Sequence, residues 1–349
     1  MVVWDVVASA TKAFRLGKAR TNAVAWSPDG RRFAAGCDDG IVRVCDATSG
    51  QVLMSLAGHG VERDEWGVLE DYDRSGSVIA VAWSPDGTKI ASGSWDRTGR
   101  IWNASTGRCL QTLSGHGATL NDKDSMGRTS RLNAGAVKAI AWSPNSEQVL
   151  TGSADRTVRV WEALTGYCLH TLEGHRGEVL AVEWCPDGVK IVSAGDTIRV
   201  WDALVGDTLN TFKTRARNVA WSADGAKIFA RGGDRLVSFD AVAMPSAQSL
   251  TFEDSKGVFD AELSPDGKLL AVMLREGVVI CDATDGRRLM TLAGDVEGRV
   301  ENLCVSWSPD SDYFVVGRAD GSVAVWASAT GEQMQALKFH TKPVHLLSL

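Results

Sequence analysis

Apolar and polar residues alternate along this chain with a period of two, in runs too short for helices. Val137 to Trp142 is one such run, and Ser143-Pro144-Asn145 turns the chain after it. Gln148 to Thr151 forms the next run, closed by Gly152-Ser153-Ala154-Asp155. Thr157 to Trp161 sets Val158 and Val160 against Arg159, Thr165-Gly166 makes another turn, and Cys168 to Leu172 completes the unit. Two-residue alternation punctuated by Gly, Pro, Asp and Ser about every 8–12 residues predicts four short antiparallel strands per unit. No segment sustains a 3.6-residue apolar period, so the predicted class is all-β.

The unit repeats. Trp26-Ser27-Pro28-Asp29-Gly30 recurs as Trp83-Ser84-Pro85-Asp86-Gly87, with weaker copies beginning at Trp142, Trp184, Trp221, Leu263 and Trp307. A period near 42 residues emerges, stretched by two insertions. About 19 residues after each first marker stands a second: Cys45, Trp102, Trp161, Trp201, Phe239, Cys281 and Trp326. One more copy, Val3-Trp4-Asp5, opens the chain. These two positions absorb 11 of the 13 tryptophans, which isolates Trp66 and Trp95 as off-pattern. A four-stranded sheet this small cannot bury both of its faces. Stacking many such sheets around an axis does so and shields most strand edges.

The best copies run from Gly58-His59 to Trp102 and from Gly115-His116 to Trp161. Each has the Gly-His opening, a Ser-Gly-Ser or Thr-Gly-Ser stretch, then Asp-Arg-Thr and the closing Trp. On these residues the chain resembles the WD-repeat (β-transducin-like) β-propeller family over nearly all of its length. The resemblance implies four-stranded antiparallel blades, seven in number, with an eight-bladed ring carrying an incomplete closing blade as the alternative. It implies a single propeller over residues 1–349, with partial units at both ends, as in a fragment of a longer chain. In the family a His, a Ser or Thr, an Asp and the closing Trp form a hydrogen-bonded chain within one blade. By position the sets are His59, Ser92, Asp96 and Trp102; His116, Thr151, Asp155 and Trp161; and His175, Ser193, Asp196 and Trp201. The third set is shorter, with Asp196 five residues before its Trp where the others have six. The same trio of Ser or Thr, His and Asp recurs in several units, as a structural device does. A nucleophilic site is single and exposed.

The resemblance also places the loop before each first strand on one face, here called the top, with the loop between second and third strands. Both insertions fall in loops of the first kind. Residues 60–77 hold Glu62, Asp64, Glu65, Glu70, Asp71 and Asp73 against Arg63 and Arg74, a net charge of −4. Residues 117–135 carry a net charge of +1. Trp66 lies in the acidic insertion and Trp95 beside Asp96 on the same face. Trp is enriched at binding hot spots, so Trp66, Trp95, Glu62, Asp64 and Glu65 are the candidate partner contacts, and a basic segment is the partner charge would favour. The bland alternatives are packing under the insertion for Trp95 and a small local core for Trp66. Asp71 to Gly76 resembles the first half of a calcium loop, but Ala82 stands where the twelfth-position Glu belongs, so it reads as an acidic turn.

Composition narrows the function. With 44% apolar and 23% charged residues in 349, the chain reads as an ordinary globular protein. No apolar run approaches the ~18 residues of a membrane span, and Asp5 interrupts the only start that a signal sequence would use. A net charge of −6 argues against general nucleic-acid binding. The seven cysteines show no Cys-x-x-Cys pair, so zinc sites and a disulfide framework are not expected, and a reducing compartment is: the cytoplasm, with the nucleus as alternative. No phosphate-binding loop, dinucleotide fingerprint or His-Glu-x-x-His occurs. The expectation is a non-catalytic scaffold that presents a rigid face to protein or peptide partners, with no cofactor, metal or small-molecule substrate. The alternatives are a propeller-based enzyme and a regulatory segment of a multidomain protein.

Overall fold

The computed structural model describes residues 2–5, 10–13, 19–60, 76–117, 135–232, 235–241, 258–274, 277–283, 286–293, 302–308, 310–318 and 322–338. Every helix-or-strand element among them is a β-strand, and the chain divides into two compact units, residues 1–214 and 215–349.

In the first unit β1 (Val2–Asp5) pairs with β2 (Ala10–Ala13) as a two-stranded sheet. The sequence suggests the third and fourth strands of a partial unit here, Val2 to Asp5 and Lys12 to Leu16; the first is found as read, and the other begins earlier, at Ala10, opposite Asp5. Four sheets follow, each of four antiparallel strands in chain order. Blade 1 is β3 (Thr21–Trp26), β4 (Arg32–Cys37), β5 (Ile41–Asp46) and β6 (Val52–Ala57). Blade 2 is β7 (Val78–Trp83), β8 (Lys89–Ser94), β9 (Gly99–Asn103) and β10 (Cys109–Leu113). Blade 3 is β11 (Val137–Trp142), β12 (Gln148–Ser153), β13 (Val158–Glu162) and β14 (Cys168–Leu172). Blade 4 is β15 (Ala181–Trp184), β16 (Lys190–Ala194), β17 (Ile198–Asp202) and β18 (Thr208–Phe212).

The second unit repeats the plan. Blade 5 has three strands among the described residues, β19 (Asn218–Trp221), β20 (Lys227–Gly232) and β21 (Arg235–Asp240). Blade 6 is β22 (Val258–Leu263), β23 (Leu269–Leu274), β24 (Gly277–Asp282) and β25 (Arg288–Ala293). Blade 7 is β26 (Asn302–Trp307), β27 (Tyr313–Arg318), β28 (Ser322–Ala327) and β29 (Gln333–Lys338). The fold is therefore all-β and built of seven β-propeller blades. For the eight-bladed alternative, β1 and β2 of the N-terminal partial unit are described, while the C-terminal partial unit lies outside the described residues.

The turn after each first strand explains the Ser-Pro-Asp-Gly marker. In blade 1 the Ser27 hydroxyl donates to Asp29, accepts from the Arg32 N–H, and Gly30 donates back to the Ser27 carbonyl. Gly30 sits at φ +65°, where a Cβ is disfavoured. Blades 3 and 7 put Ser146 and Ser311 there instead, at φ +62° and +64°. Each serine hydroxyl accepts a hydrogen bond from the preceding blade, from Asp86 N and Asp266 N respectively, both at 3.1 Å. The strained serine thus ties neighbouring sheets together.

The core lies between sheets rather than within them. Val42, Val44 and Leu56 of blade 1 pack with Trp83, Ile90 and Trp102 of blade 2. Val158, Val160 and Leu172 of blade 3 pack with Trp184, Ile191 and Trp201 of blade 4. In the second unit Val278, Ile280 and Leu292 of blade 6 meet Trp307, Phe314 and Val316 of blade 7. Alternating side chains on a pleated strand give each sheet two apolar faces, and a neighbour on each side covers them. Close approach demands glycine at one recurring place. A Cβ on Gly93 would lie 2.7 Å from Val137 Cγ1 and 3.0 Å from the Val137 carbonyl oxygen.

Candidate functional site

Three buried polar chains fix the loops at one end of blades 2, 3 and 4. In blade 2 the Trp102 indole N–H donates to Ser92 Oγ at 2.8 Å. Ser92 Oγ lies 2.8 Å from His59 Nε2, and His59 Nδ1 lies 2.9 Å from Asp96 Oδ2. One proton arrangement satisfies every atom: the hydroxyl accepts from the indole and donates to Nε2, and Nδ1–H donates to the carboxylate. Asp96 also accepts from Thr98 Oγ1 and from the N–H groups of Gly60 and Thr98. Blade 3 repeats the chain through Trp161, Thr151, His116 and Asp155 at 2.7, 2.7 and 2.8 Å. Blade 4 does so through Trp201, Ser193, His175 and Asp196 at 2.8, 2.7 and 2.9 Å. The shorter gap before Trp201 is accommodated by a tighter turn, in which Gly195 N donates to the Thr197 carbonyl. All three closing tryptophans are at most 2% exposed.

The charges are set by these contacts. Burial pushes the Asp96 and Asp155 carboxyls up, yet hydrogen bonds from the histidine and from Thr98 or Thr157 outweigh it and hold both below the ordinary value. Burial lowers the pKa of His175 against the pull of Asp196, which keeps its imidazole neutral near pH 7. Blade 1 lacks the set: Ala35 replaces the hydroxyl residue and Cys45 the Trp. It has a different link, in which Asn22 Nδ2 donates to Asp38 and to Ser77 Oγ, and Ser77 Oγ donates to Asp38. Asn22 and Asp38 belong to blade 1 and Ser77 to the loop entering blade 2. Blades 5 and 6 bury Phe239 and Cys281 at the closing position.

Trp95 is half-buried in the turn between β8 and β9. The Lys138 ammonium from β11 lies 5.5 Å from its ring centroid, a cation–π contact between blades 2 and 3. Lys138 Nζ also donates to Glu178 Oε2 of blade 4 at 2.6 Å. One row, Trp95–Lys138–Glu178, therefore crosses three successive blades. The sequence reading singles out Trp95 but misses Lys138 and Glu178. The signal available was the single charge inside the apolar run from Val137 to Trp142. The other candidate contacts, Trp66, Glu62, Asp64 and Glu65, lie outside the described residues, as does most of the calcium-like segment from Asp71 to Gly76.

A second group of ionisable residues, also missed, sits at the seam of blades 5 to 7. Glu262 on β22 is buried, its carboxyl pushed up to about 8 by desolvation and by the neighbouring Asp260. Its Oε1 accepts from Ser306 Oγ at 3.5 Å, and its backbone carbonyl accepts the Trp307 indole N–H at 2.9 Å. Asp260, also raised by burial, accepts from Val305 N at 3.1 Å and faces Arg231 Nε at 3.7 Å. Burial raises the Cys304 thiol to about 12. The equivalent positions to Glu262 in blades 1, 2, 3 and 5 are alanines 25, 82, 141 and 220. Among the described residues no group of three or more His, Cys, Asp or Glu could hold a metal ion.

The chain is similar in sequence to known proteins. The WD domain, G-beta repeat family model matches residues 67–103, 128–162 and 166–202. The anaphase-promoting complex subunit 4 WD40 domain model matches residues 2–63 and 261–348. THO complex subunit 3 of Arabidopsis thaliana is 30% identical over 269 residues, covering 74% of this chain and 79% of that protein. Protein tipD of Dictyostelium discoideum is 25% identical over 317 residues, 87% of this chain and 46% of its own length. Eukaryotic translation initiation factor 3 subunit I of Pyricularia oryzae is 26% identical over 273 residues, 78% of this chain and 54% of its own. The chain thus spans about half the length of these last two relatives. With the repeated Trp–Ser/Thr–His–Asp chains, the four-stranded blades and these matches together, the chain belongs to the WD-repeat family.

Proposed function

We propose that this chain is a non-catalytic interaction platform that holds peptide segments of other proteins on the top face of its blades and so helps assemble a multiprotein complex. The observation that carries the reading is the row Trp95–Lys138–Glu178, in which a partly exposed indole is fixed beside two charged groups on three adjacent blades. Two relatives are named as subunits of larger assemblies, the THO complex and initiation factor 3, which supports the same class of role. The Ser/Thr, His and Asp residues favour structure over chemistry. Their side chains are closed into intrablade hydrogen bonds, and His59, His116 and His175 have side chains 0% exposed. Residues 1–349 act as one propeller on this reading, in the cytoplasm or the nucleus, and Trp66 with Glu62, Asp64 and Glu65 extends the contact surface. The charge of the acidic insertion favours a basic segment against that extension.

The test is quantitative affinity capture with the wild-type chain and the Trp66→Ala, Trp95→Ala double variant, folding being checked by far-ultraviolet circular dichroism. The double variant folds normally and loses partners recovered by the wild type. An identical partner set, recovered in identical amounts, overturns the proposal.

A further inference from the structure

The row on blades 2 to 4 has a sign of its own. The carboxylates of the three polar chains face inward: side chains of Asp96 and Asp155 are 5% and 3% exposed and that of Asp196 is 29%, each held by a histidine. Among the described residues, the charged groups on the turn of Trp95 and on the two loops or strands that follow it in blades 3 and 4 are mostly cations. Arg97 follows Trp95 by two residues, exposed, in a left-handed turn at φ +71°, with its stem against Gly135. Lys138 lies over the indole, and Arg176 is exposed beside His175 in the loop that carries Glu178. The carboxylate within the row is Glu178, 46% exposed and bound to Lys138; Glu173 stands apart, beyond the end of the outermost strand β14. Among the described residues, Arg97, Lys138 and Arg176 thus stand against one exposed carboxylate of the row, Glu178.

We propose that Trp95, Arg97, Lys138 and Arg176 receive an acidic, Asp- or Glu-rich peptide segment, one of whose carboxylates takes the place of Glu178 on Lys138. The inference rests on the top-face reading above and adds the chemistry of the partner. The geometry gives each residue a task. The indole supplies an amphipathic contact area that loses little entropy on binding. Lys138 is already desolvated against the ring, so an incoming carboxylate meets a cation whose alternative partner is the one it displaces. Glu178 then acts as an internal competitor. Its carboxylate keeps Lys138 paired when no partner is bound, and its release to solvent, where it is already half exposed, costs little.

The experiment is fluorescence anisotropy on the whole chain with three labelled peptides of equal length: a Glu-Gly repeat, a Ser-Gly repeat and a Lys-Gly repeat. The acidic peptide binds at low ionic strength, the neutral one does not, and added salt weakens the complex. Lys138→Gln and Trp95→Ala each weaken acidic-peptide binding by about tenfold or more, the loss of one charge-assisted contact. Glu178→Gln, which removes the competitor, tightens it. Acidic-peptide binding no stronger than neutral, or weakened by Glu178→Gln, overturns the inference. Trp95-dependent binding of the Lys-Gly peptide instead refutes the charge assignment and leaves the docking surface standing. Absence of any Trp95-sensitive binding, with partner capture unchanged in the double variant, removes both.

Discussion

Glu262 makes the stability of this protein fall as pH rises through the neutral range. Its carboxyl has an ordinary pKa of 4.5 and is pushed up to about 8 in the folded state. Between those values the folded chain holds a proton that the unfolded chain has released. The slope of unfolding free energy with pH is proportional to protons bound in the unfolded state minus those bound in the folded state, and here it is negative. Each pKa unit corresponds to about 1.4 kcal/mol, so the window is worth roughly 5 kcal/mol, present at about pH 4.5 and lost by about pH 8. Asp260, raised as well, adds to the same trend from its ordinary 3.8 upward. The polar chains act oppositely and elsewhere. His175, lowered from 6.5, weakens the fold as pH falls below that value, and Asp96 and Asp155, lowered from 3.8, do so only in stronger acid. Comparing wild type with Glu262→Gln isolates the one group, since Gln keeps an acceptor for Ser306 and never ionises. In urea titrations followed by tryptophan fluorescence, the variant matches or slightly trails wild type near about pH 5 and exceeds it above about pH 8. Parallel pH profiles for the two proteins refute the reasoning.

Two further substitutions test packing and polar closure. Thr151→Ser removes one buried methyl group at about 0.8 kcal/mol, whereas Thr151→Val keeps the shape and orphans both the Trp161 indole N–H and His116 Nε2, at ~1–3 kcal/mol each; equal losses in thermal or urea unfolding contradict the hydrogen-bond account. Gly93→Ala drives a methyl group against Val137 side chain and backbone at once, which costs about 1–3 kcal/mol and lowers the urea midpoint; an unchanged midpoint shows that blades 2 and 3 are not packed this closely.

What the sequence disclosed and what it hid have physical reasons. The repeat was legible because its marks are stereochemically demanding. A left-handed turn selects Gly30 or Gly87, a turn hydroxyl selects Ser27 or Ser84, and a buried indole selects a hydroxyl partner such as Ser92. The residue sets of the polar chains could be named because each lies within one repeat at nearly constant spacing. Contacts between repeats carry no such mark. Asn22 meets Ser77 across 55 residues and Lys138 meets Glu178 across 40, and only the register of adjacent sheets brings them together. Glu262 was readable in principle. It stands where alanine recurs in four other blades, and a carboxylate at a small apolar position announces either a partner or a raised pKa.

The same hydrogen bonds that hold the blades together also fix the turn that carries Trp95, the contact residue of the proposed function. Its own N–H donates to the Ser77 carbonyl at 3.0 Å, Asp96 N to Ser94 Oγ at 3.1 Å, Arg97 N to the Ser94 carbonyl at 3.3 Å and Thr98 N to Asp96 Oδ1 at 2.9 Å. Ser94 Oγ donates in turn to the Gly76 carbonyl, at the end of the loop that enters blade 2. Every backbone donor from Trp95 to Thr98 is therefore occupied, and the turn is anchored through Asp96 to His59 and on to the buried Trp102. Ordering a flexible loop at an interface costs about 0.5–1.5 kcal/mol per immobilised side chain. Here the backbone part of that ordering is complete before any partner arrives. The degree of freedom left is the indole itself, with Lys138 already placed over one face. A rigid turn bearing a restrained aromatic side chain is what a preorganised contact requires. The intrablade polar chain of blade 2 is thus the structural cause of the rigidity of the turn beneath Trp95.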